Sequence, residues 1–413
     1  MDRLRSREAG FRQGGHSSAA AMPPKREKRR TAREATPEVR VVASVDYALL
    51  FIVVVLVLIG VVMVFSASYW WATTRFGGDP FHFLRPHIFF AVGGFLVMLL
   101  FANINYELLR PLTTLLYAVS VGLLILVIFI GDDGGGATRW IDILGFRFQP
   151  SEVARAAVIF MMAFMIEKYP ALPRSIPGLA LLTATLAVIP VLIALPGGFT
   201  AAIISAAIGL GMIVVASPLF WWIMIPGGAM AAGAVAYIRW AVTTGGGPAI
   251  FGGFRHGRIL AWIDPFSDPR DFGFQPINGL YAIASGGWFG QGIGNSRQVT
   301  FIPEPHNDMI FAVIVEELGF LGAAVIIILF AMFIWRGILT SMRAPDTFSS
   351  MIALGIVFAI GLPAVINIGV VTNTIPNTGV NLPFISYGGT SLLVSMALVG
   401  VLLNISRYSV QKK

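Results

Sequence analysis

Long apolar stretches dominate this chain and restrict its fold more than any other feature does. Of its 413 residues, 56% are hydrophobic and 12% are charged, against about 25% charged in ordinary soluble proteins. Apolar runs of about 17–25 residues are long enough to cross a bilayer as helices. We identify ten such runs, at 47–67, 87–103, 111–131, 153–167, 178–195, 199–217, 219–238, 309–336, 349–372 and 391–408. The sequence therefore predicts an all-α, polytopic membrane protein with about ten transmembrane helices.

The first 45 residues differ from the rest of the chain in composition. They hold 11 Lys and Arg against 5 Asp and Glu, which is +6 of the net charge of +8. The basic balance therefore belongs to this segment and does not indicate a nucleic-acid groove. The segment also lacks the apolar core of a signal peptide. We expect 1–45 to be a disordered basic cytoplasmic tail near anionic lipid, with partner binding as the alternative. The transmembrane domain then covers 46–408, and 409–413 form a cytoplasmic C-terminus.

The cysteine content and the placement of arginine narrow the chemistry. The chain has no cysteine, which excludes disulfide bonds, thiolate nucleophiles and cysteine-based metal sites. Basic loops tend to stay in the cytoplasm, so ten spans place both termini on the cytoplasmic side of the inner membrane. The predicted outer loops nevertheless hold arginine, including five in the long outer segment 239–308 between the seventh and eighth helices. Arginine kept there against the charge bias indicates an anion bound on the outer side.

Three acids lie together where the long outer segment meets the eighth span. Asp308 lies at the mouth of the stretch PEPHNDMIFAVIVEELGFLG, and Glu316 and Glu317 lie inside it. Carboxylates within a hydrophobic span cost about 2.5–3.5 kcal/mol each, so they usually face a cavity or a partner. If the helix includes Asp308, Glu316 shares its face about 12 Å deeper, and Glu317 faces a neighbouring helix. The alternative is that these acids cap the helix and hold neighbouring helices together.

A second polar group precedes the fourth span. Its candidates for substrate binding are Arg139, Trp140, Gln149, Ser151, Glu152 and Arg155. A guanidinium is well suited to a phosphate group, and a tryptophan is suited to the membrane interface. The structural alternative is that Pro150 or Ser151 begins the helix, with Glu152 and Arg155 paired along one of its faces.

The long outer segment supplies a third group of candidates. Arg255, Arg258 and Gln275 lie there among acids of alternating sign, a pattern that is also typical of a solvated, internally paired loop. His306 follows near the end of the segment and is included among the substrate-binding candidates. It has no second histidine at metal-ligand spacing, so a histidine-based zinc site is not predicted.

The turn before the last span is a fourth candidate. It reads PFISYGGTS, and Ser386, Gly388 and Gly389 can cap the helix and let backbone N–H groups approach an anion. In the predicted topology all four groups gather at the outer ends of the helices, and the inner loops are short and plain. The sidedness predicts a negatively charged substrate in the outer leaflet, with a lipid tail.

Several motifs, in this order, resemble the SEDS family of shape, elongation, division and sporulation proteins, which includes FtsW, RodA and SpoVE. They are GVVMVFSAS, RWIDILGFRFQPSE, DPFSDPRDFGFQ, GGWFGQGIGNS, PEPHNDMIFAVIVEELG and LPFISYGGTS, and the resemblance covers about Asp46 to Tyr408. FSAS followed by GDPFHFL, the DPFSDP loop and the basic tail are closer to FtsW than to RodA. The chain departs from the usual pattern in having Asn307 for threonine, Arg155 for lysine, and no acid in PGGFT at 196–200.

The resemblance implies a peptidoglycan glycosyltransferase that polymerises lipid II outside the cytoplasmic membrane, for septal cell-wall synthesis in cell division. Asp308 matches the family's catalytic aspartate and is predicted to be the general base of an inverting transfer. Glu316 is predicted to tune it, and the outer arginines to hold the diphosphate. The implied partners are a class B penicillin-binding protein, which is a transpeptidase, and other divisome proteins. Mg²⁺ or Mn²⁺ is a candidate cofactor with no assigned ligands. The alternatives are a lipid II flippase, a non-catalytic divisome scaffold, and a RodA-like role in elongation.

Overall fold

The computed structural model describes residues 44–133, 138–143, 146–244 and 252–408. Residues 1–43 of the predicted tail and the predicted C-terminus 409–413 lie outside the described residues. The helices are α1 (Tyr47–Arg75), α2 (Leu84–Asn103), α3 (Leu109–Ile130), α4 (Pro150–Lys168), α5 (Ile176–Ala194), α6 (Phe199–Ala216), α7 (Trp221–Thr244), α8 (Gly252–Ile263), α9 (Phe274–Gly286), α10 (Ile310–Arg343), α11 (Thr347–Val371) and α12 (Gly389–Arg407). The strands are β1 (Asp132–Asp133), β2 (Thr138–Ile143) and β3 (Phe146–Phe148).

A helix occupies each of the ten predicted spans. Eight helices of the described chain are long and apolar enough to cross a membrane, namely α1, α2, α3 with the turn before it, α5, α6, α10, α11 and α12. The helix α4 is long enough but carries Glu152, Arg155 and Glu167 within its length. The predicted tight join between the fifth and sixth spans is present, because α5 ends at Ala194 and α6 begins at Phe199. The prediction of a helical, polytopic membrane protein is confirmed.

The centre of the bundle is formed by α4, α11 and α12. In the most apolar part of α11 and of α12, 67% of the residues are buried, whereas the figure is 22% for α2 and α3. The buried helix α4 packs against α3, α6 and α11. Peripheral apolar side chains such as Leu58, Leu96 and Phe129 are exposed, as expected for positions that face lipid tails. Close packing uses small residues, since a Cβ on Gly400 of α12 would collide with the carbonyl of Met98 in α2.

Ion pairs join the helices at the end of the bundle where α1 begins and α12 ends. Arg336 of α10 pairs with Asp46, the residue before α1, at 2.7 Å. The Asp46 N–H also donates to the Ser406 hydroxyl of α12 at 3.1 Å. Beside them Arg110 of α3 pairs with Glu167 of α4 at 2.7 Å. We call this the ion-paired end, and it brings the start of α1 and the end of α12 to the same side of the bundle.

The opposite end, which we call the Asp308 end, holds the small sheet and the helices α8 and α9. The strands pair antiparallel in the order β1–β2–β3, with Ile141 opposite Phe148. The all-α prediction did not include this sheet, because strands of two to six residues are too short for a periodic pattern to reveal. The helix α4 begins directly after β3, and the sheet therefore sets where the first turn of α4 lies.

The helix α10 is interrupted at Gly319, and the loop 287–292 fills the break. Gly319 has φ 69° and ψ −170°, a conformation that glycine adopts far more readily than other residues. The N–H of Gln291 donates to the Glu316 carbonyl at 2.8 Å, which replaces a bond that a continuous helix would make. A Cβ on Gly319 or on Gly290 would collide with the backbone opposite. Two glycines therefore let the loop and the helix join through their main chains.

Candidate active site

Asp308 lies in the segment that leads into α10 and not on the helix itself. Because α10 begins at Ile310, the expectation that Asp308 and Glu316 share one helical face is wrong. The Asp308 side chain is half-buried, and its Oδ1 accepts a hydrogen bond from Nε2 of Gln275 at 3.3 Å. Its backbone carbonyl accepts a hydrogen bond from Nδ2 of Asn367 in α11 at 2.6 Å. The segment is thus held by α9 and α11.

The surroundings of Asp308 make its carboxylate more basic than usual. Burial raises the pKa of Asp308 to about 6, from an ordinary value of about 4. The nearby Arg258 guanidinium acts in the opposite direction, and Glu304 adds to the rise. A carboxylate with a pKa near 6 is still mostly ionised at neutral pH and accepts a proton more readily than a surface aspartate. Asp308 therefore has the properties of a general base.

A cavity of about 200 Å³ opens beside Asp308 on the side of α8 and α9. Its wall includes Arg258, Trp262, Gln275 and Asn377. Nη1 of Arg258 donates to the backbone carbonyl of Asn377 at 3.3 Å. We call it the Arg258 cavity. It brings a cation and two amide groups next to the carboxyl group, which suits an anionic ligand.

A second cavity of about 100 Å³ lies between the start of α4 and the α11–α12 loop, residues 372–388. We call it the Arg155 cavity. Five of the predicted residues line it, namely Arg139, Gln149, Glu152, Arg155 and Ser386. The predicted pair is present, with Arg155 Nη2 3.0 Å from Glu152 Oε1. Nε of Arg155 and Oγ1 of Thr378 are buried and have no hydrogen-bond partner among the described residues. The cavity therefore has polar groups that remain available to a ligand.

The α11–α12 loop separates the two cavities, and Asp308 lies beside the loop. Asn377 lines the Arg258 cavity, whereas Thr378 and Gly379 line the Arg155 cavity. A Cβ built on Gly379 would lie 3.9 Å from Oδ2 of Asp308. One carboxylate oxygen thus contacts the wall of the Arg258 cavity through Gln275, and the other faces the wall of the Arg155 cavity. The carboxyl group of Asp308 therefore lies between the two cavities.

Glu316 and Glu317 are fully buried and bind donors of the chain itself. Glu316 accepts hydrogen bonds from the Ser296 hydroxyl and from the Arg297 N–H, the latter at 3.0 Å. Glu317 accepts from the Ser66 hydroxyl of α1 at 2.6 and 2.8 Å. These bonds fasten the loop after α9 to α10 and α1. The described contacts of Glu316 are those of an anchor and are not with Asp308, and its predicted tuning role stays a prediction.

His306 lies in an aromatic cluster and lines neither cavity. Its ring centroid is 4.3 Å from that of Phe83 and 5.5 Å from that of Tyr387. Burial lowers the pKa of His306 to about 4, so the ring is neutral at physiological pH. Its backbone carbonyl accepts the N–H of Tyr387 at 2.9 Å. These contacts hold the segment before Asp308 against the α11–α12 loop.

The other predicted residues lie near the cavities without lining them. They are Trp140 in β2, Ser151 in the first turn of α4, and Gly388 and Gly389 at the start of α12. Ser386 lines the Arg155 cavity and also ties the segments together, because its hydroxyl donates to the Asn307 carbonyl at 2.7 Å. The side chain of Arg255 lies outside the described residues.

The described residues do not fit a resident metal site. No group of three or more His, Asp or Glu side chains in the described chain is placed to hold a metal ion. Asp271 lines the Arg258 cavity and Asp308 adjoins it, but the cavity also contains a guanidinium. Protein sites for Mg²⁺ commonly use one or two carboxylates together with substrate phosphates. A cation would therefore need ligands that the described chain does not supply.

The sequence did not predict a role for Asn367 or Asn377. Buried Asn367 donates to the carbonyls of Asp308 and Val380, at 2.6 and 2.7 Å, and so joins the two segments. Nδ2 of Asn377 donates to Oε1 of Gln275 at 2.9 Å. An amide at the end of an apolar span is itself a signal for Asn367, because unpaired polar groups are costly there. Asn377 lies in a polar loop, where its residue type carries no such signal.

Comparison with known protein sequences gives matches along almost the whole chain. The family model FTSW_RODA_SPOVE, described as "Cell cycle protein", matches residues 47–411. Stage V sporulation protein E of Bacillus subtilis is 38% identical over 370 residues, which are 89% of this chain and 98% of that protein. A probable peptidoglycan glycosyltransferase FtsW of Geobacter sp. (strain M18) is 36% identical over 371 residues, again 89% and 98%.

Solved structures match the fold over a similar length. One chain of a peptidoglycan synthase complex, described as coordinating polymerisation and crosslinking, is 25% identical with a TM-score of 0.71. That match covers 88% of this chain and 98% of the other. The rod shape determining protein RodA of Thermus thermophilus is 24% identical with a TM-score of 0.62, covering 89% and 98%. With the sequence motifs, the helical fold and these matches in agreement, this chain belongs to the FtsW/RodA/SpoVE family of membrane-spanning cell cycle proteins.

Proposed function

We propose that this protein is a peptidoglycan glycosyltransferase that polymerises lipid II on the outer face of the cytoplasmic membrane during cell division. The observation that carries the proposal is the placement of Asp308, a carboxyl group of raised pKa, between two cavities that each contain arginine. Relatives at 36% and 38% identity over most of the chain are named probable peptidoglycan glycosyltransferase FtsW. These names favour the division role over the RodA-like role in elongation.

In the proposed reaction Asp308 takes the proton of the acceptor's 4-hydroxyl group. The hydroxyl oxygen attacks the reducing-end carbon of the lipid-linked donor, and the bond from that carbon to the diphosphate breaks. The lipid diphosphate leaves with the electron pair, and Asp308 later returns its proton to water. Attack in line with the departing group inverts the configuration, so an α-linked donor yields a β-linked strand. General-base assistance of this kind contributes about 10²–10⁴-fold to rate.

The arginines provide the positive charge that a departing diphosphate requires. Arg139 and Arg155 line one cavity and Arg258 lines the other, so each cavity offers guanidinium groups to a phosphate. We assign the diphosphates of donor and acceptor to these two cavities without assigning which occupies which. The pairing of Arg155 with Glu152 orients that guanidinium and leaves its Nε for a ligand.

We propose that Mg²⁺ or Mn²⁺, the candidate cofactor, arrives bound to the substrate diphosphate. The described residues supply too few carboxylates for a resident ion, whereas a diphosphate carries oxygen ligands of its own. The expected result is that EDTA lowers polymerisation and that either ion restores it. Binding of the ion to the protein alone, measured by calorimetry, should remain weak.

The proposed orientation places the ion-paired end in the cytoplasm and the Asp308 end outside. The start of α1 and the end of α12 meet at the ion-paired end, so both ends of the described transmembrane domain lie on one side. A structural relative is one chain of a peptidoglycan synthase complex. We propose by analogy that this protein works with a class B penicillin-binding protein, a transpeptidase, and with other divisome proteins.

The enzyme is preferred to the flippase because the Arg258 cavity and the Arg155 cavity both lie at the Asp308 end. A flippase needs a polar path through both halves of the membrane. At the ion-paired end, the pairs of Arg336 with Asp46 and of Arg110 with Glu167 join neighbouring helices to one another. A non-catalytic scaffold, the third alternative, would tolerate the loss of Asp308.

The test is polymerisation of labelled lipid II by the purified full-length protein together with its transpeptidase partner. Asp308→Ala should abolish polymer formation, whereas Asp268→Ala, which removes an exposed acid from the same outer segment, should not. Near wild-type product from Asp308→Ala would end the assignment of the base. Movement of lipid II across vesicle membranes without any polymer, in the wild-type protein, would support the flippase instead.

A further inference from the structure

Three hydrogen bonds run in one direction from the backbone of Gly379 to the carboxyl group of Asp308. The Gly379 N–H donates to Oδ1 of Asn377 at 3.0 Å. Nδ2 of Asn377 donates to Oε1 of Gln275 at 2.9 Å, and Nε2 of Gln275 donates to Oδ1 of Asp308 at 3.3 Å. We call these three bonds the amide chain. It links the α11–α12 loop, α9 and the segment before α10.

The backbone sets the direction of the amide chain. A backbone N–H can only donate, so the atom of Asn377 that faces it is the oxygen, and the NH₂ group of Asn377 faces Gln275. The oxygen of Gln275 is thereby occupied, and its NH₂ group is left for Asp308. If Gln275 were turned over, its oxygen would face the carboxyl group and would bind only the protonated acid. Asn377 therefore decides which form of Asp308 the glutamine stabilises.

We infer that Asn377 is a positioning residue for the proposed reaction: through Gln275 it holds Oδ1 of Asp308 and leaves Oδ2 as the atom that takes the acceptor's proton. This inference rests on the proposed function and adds to it the reacting oxygen and two supporting residues. Oδ2 faces Gly379, and the nearest approach of an added Cβ there is 3.9 Å. Gly379 also has φ 67°, which disfavours any side chain at that position. The amide chain thus begins at Gly379, binds Oδ1 of Asp308 and leaves Oδ2 accessible.

The charged groups around Asp308 do not fix its orientation in this way. Arg258 on α8 attracts the carboxylate and Glu304 on the same segment repels it. Asn367 on α11 binds the backbone carbonyl of Asp308 and not its side chain. The hydrogen bond from Gln275 favours the ionised carboxylate. Its loss should therefore raise the pH at which Asp308 becomes protonated.

The discriminating variant is Asn377→Asp, which has nearly the same shape. Its carboxylate can still accept from Gly379 but can no longer donate to Gln275. Gln275 is then free to turn its NH₂ group toward residue 377 and its oxygen toward Asp308. We expect the acidic midpoint of the polymerisation rate to rise by about one pH unit, because both the reversed amide and the added charge favour the protonated acid. The rate should rise to a plateau at high pH that is lower than the wild-type rate, because the new carboxylate lines the Arg258 cavity proposed for a diphosphate.

The matched control is Asn295→Asp, which makes the same change at an exposed position of the loop after α9. Its acidic midpoint should equal that of the wild-type protein. If Asn377 only supported the loop, Asn377→Asp would lower the rate equally at every pH, and an unshifted midpoint in folded protein overturns the inference. A wild-type protein that makes no polymer would instead overturn the proposed function, so the two failures are distinguishable.

A second variant covers the case in which Asn377→Asp does not fold. Gln275→Met removes the amide at nearly constant length and leaves Asn377 in place. The acidic midpoint should rise by about half a pH unit, since a favourable bond to the ionised form is lost without a new opposing group. A midpoint identical to that of the wild-type protein would overturn the inference.

Discussion

Two acidic regions lie within ten residues of each other on this chain and differ in almost every physical respect. Asp308 is half-buried, and the described hydrogen bond to its side chain is the one from Gln275, at 3.3 Å. Glu316 and Glu317 are fully buried, and hydroxyl and backbone N–H groups donate hydrogen bonds to their oxygens. In the sequence alone, Asp308, Glu316 and Glu317 form a single acidic cluster.

The difference shows how a fold separates a reactive acid from structural ones. Glu316 and Glu317 are buried, and their oxygens accept hydrogen bonds from the chain itself, which leaves no exposed oxygen for a substrate. A carboxylate with few donors, beside cavities, keeps a lone pair for a substrate. These contacts favour a chemical role for Asp308 and an anchoring role for Glu316 and Glu317, and four measurements test this contrast.

The largest expected effect comes from removing the charge at each position without changing the shape. Asp308→Asn should lower the polymerisation rate by about 10³-fold, because the amide cannot act as the base. Its melting temperature in detergent should match that of the wild-type protein. Glu316→Gln should instead lower the melting temperature, and the folded variant should retain most of the wild-type polymerisation rate. A folded Glu316→Gln variant as inactive as Asp308→Asn would restore the predicted catalytic role of Glu316.

The next largest effect is on stability at the anchor. Ser66→Ala removes the hydroxyl that donates to Glu317 and should lower the free energy of unfolding by about 1.5–3 kcal/mol, as for bonds to charged groups. Ser68→Ala on the same helix is the matched control. The Ser68 hydroxyl is buried but has no hydrogen-bond partner among the described residues, so its loss should cost little. Equal destabilisation by the two variants would contradict the anchoring role.

A smaller effect is expected from pH, and its sign follows from the raised pKa of Asp308. The base must be ionised, so the rate should be constant above about pH 7 and should fall tenfold per pH unit below about pH 6. Rates of polymerisation measured between pH 5 and 8 give the midpoint. A rate that is independent of pH across this range would show that Asp308 does not act as the base in the rate-limiting step.

The smallest effect concerns Arg155, the arginine paired with Glu152 in the Arg155 cavity. Arg155→Lys keeps the charge but loses the fork of donors, so we expect a loss of about two- to tenfold in kcat/KM. Arg155→Ala should lose more, because it also leaves Glu152 unpaired in a buried position. Kinetics with lipid II as the varied substrate measure both. Identical rates for the lysine and alanine variants would remove Arg155 from diphosphate binding.

The helices and the family could be predicted from sequence because both depend on local patterns. Apolar runs that are long enough to cross a membrane can be identified directly in the sequence. Motifs such as PEPHNDMIFAVIVEELG are also contiguous in the sequence. The start of α10 after Asp308 could not be predicted, since Pro303 and Pro305 suggest a break without locating its end. The difference between Asp308 and the two glutamates could not be predicted either. It depends on hydrogen-bond donors from Ser66 and Ser296, which are distant from each other in sequence.

Local sequence patterns predict only a small part of the amide chain. Gln275 was predicted as a substrate-binding residue from its place in the long outer segment, but its hydrogen bonds with Asn377 and Asp308 could not be predicted. The two cavities join residues more than a hundred positions apart, such as Arg258 and Asn377. Contacts at such separations follow from the packing of α8 and α9 against the α11–α12 loop, which no window of the sequence contains.

The break in α10 at Gly319 affects how freely the side chains of the loop packed against it can change during evolution. The loop 287–292 is attached through backbone N–H and C=O groups, and those bonds do not depend on which side chains point outward. Trp288 and Phe289 are 66% and 81% exposed on that loop. Such positions can exchange one residue type for another without unfastening the loop, as long as the two glycines remain. The molecule thereby keeps a surface on which new recognition can evolve while the attachment of the loop to α10 stays undisturbed.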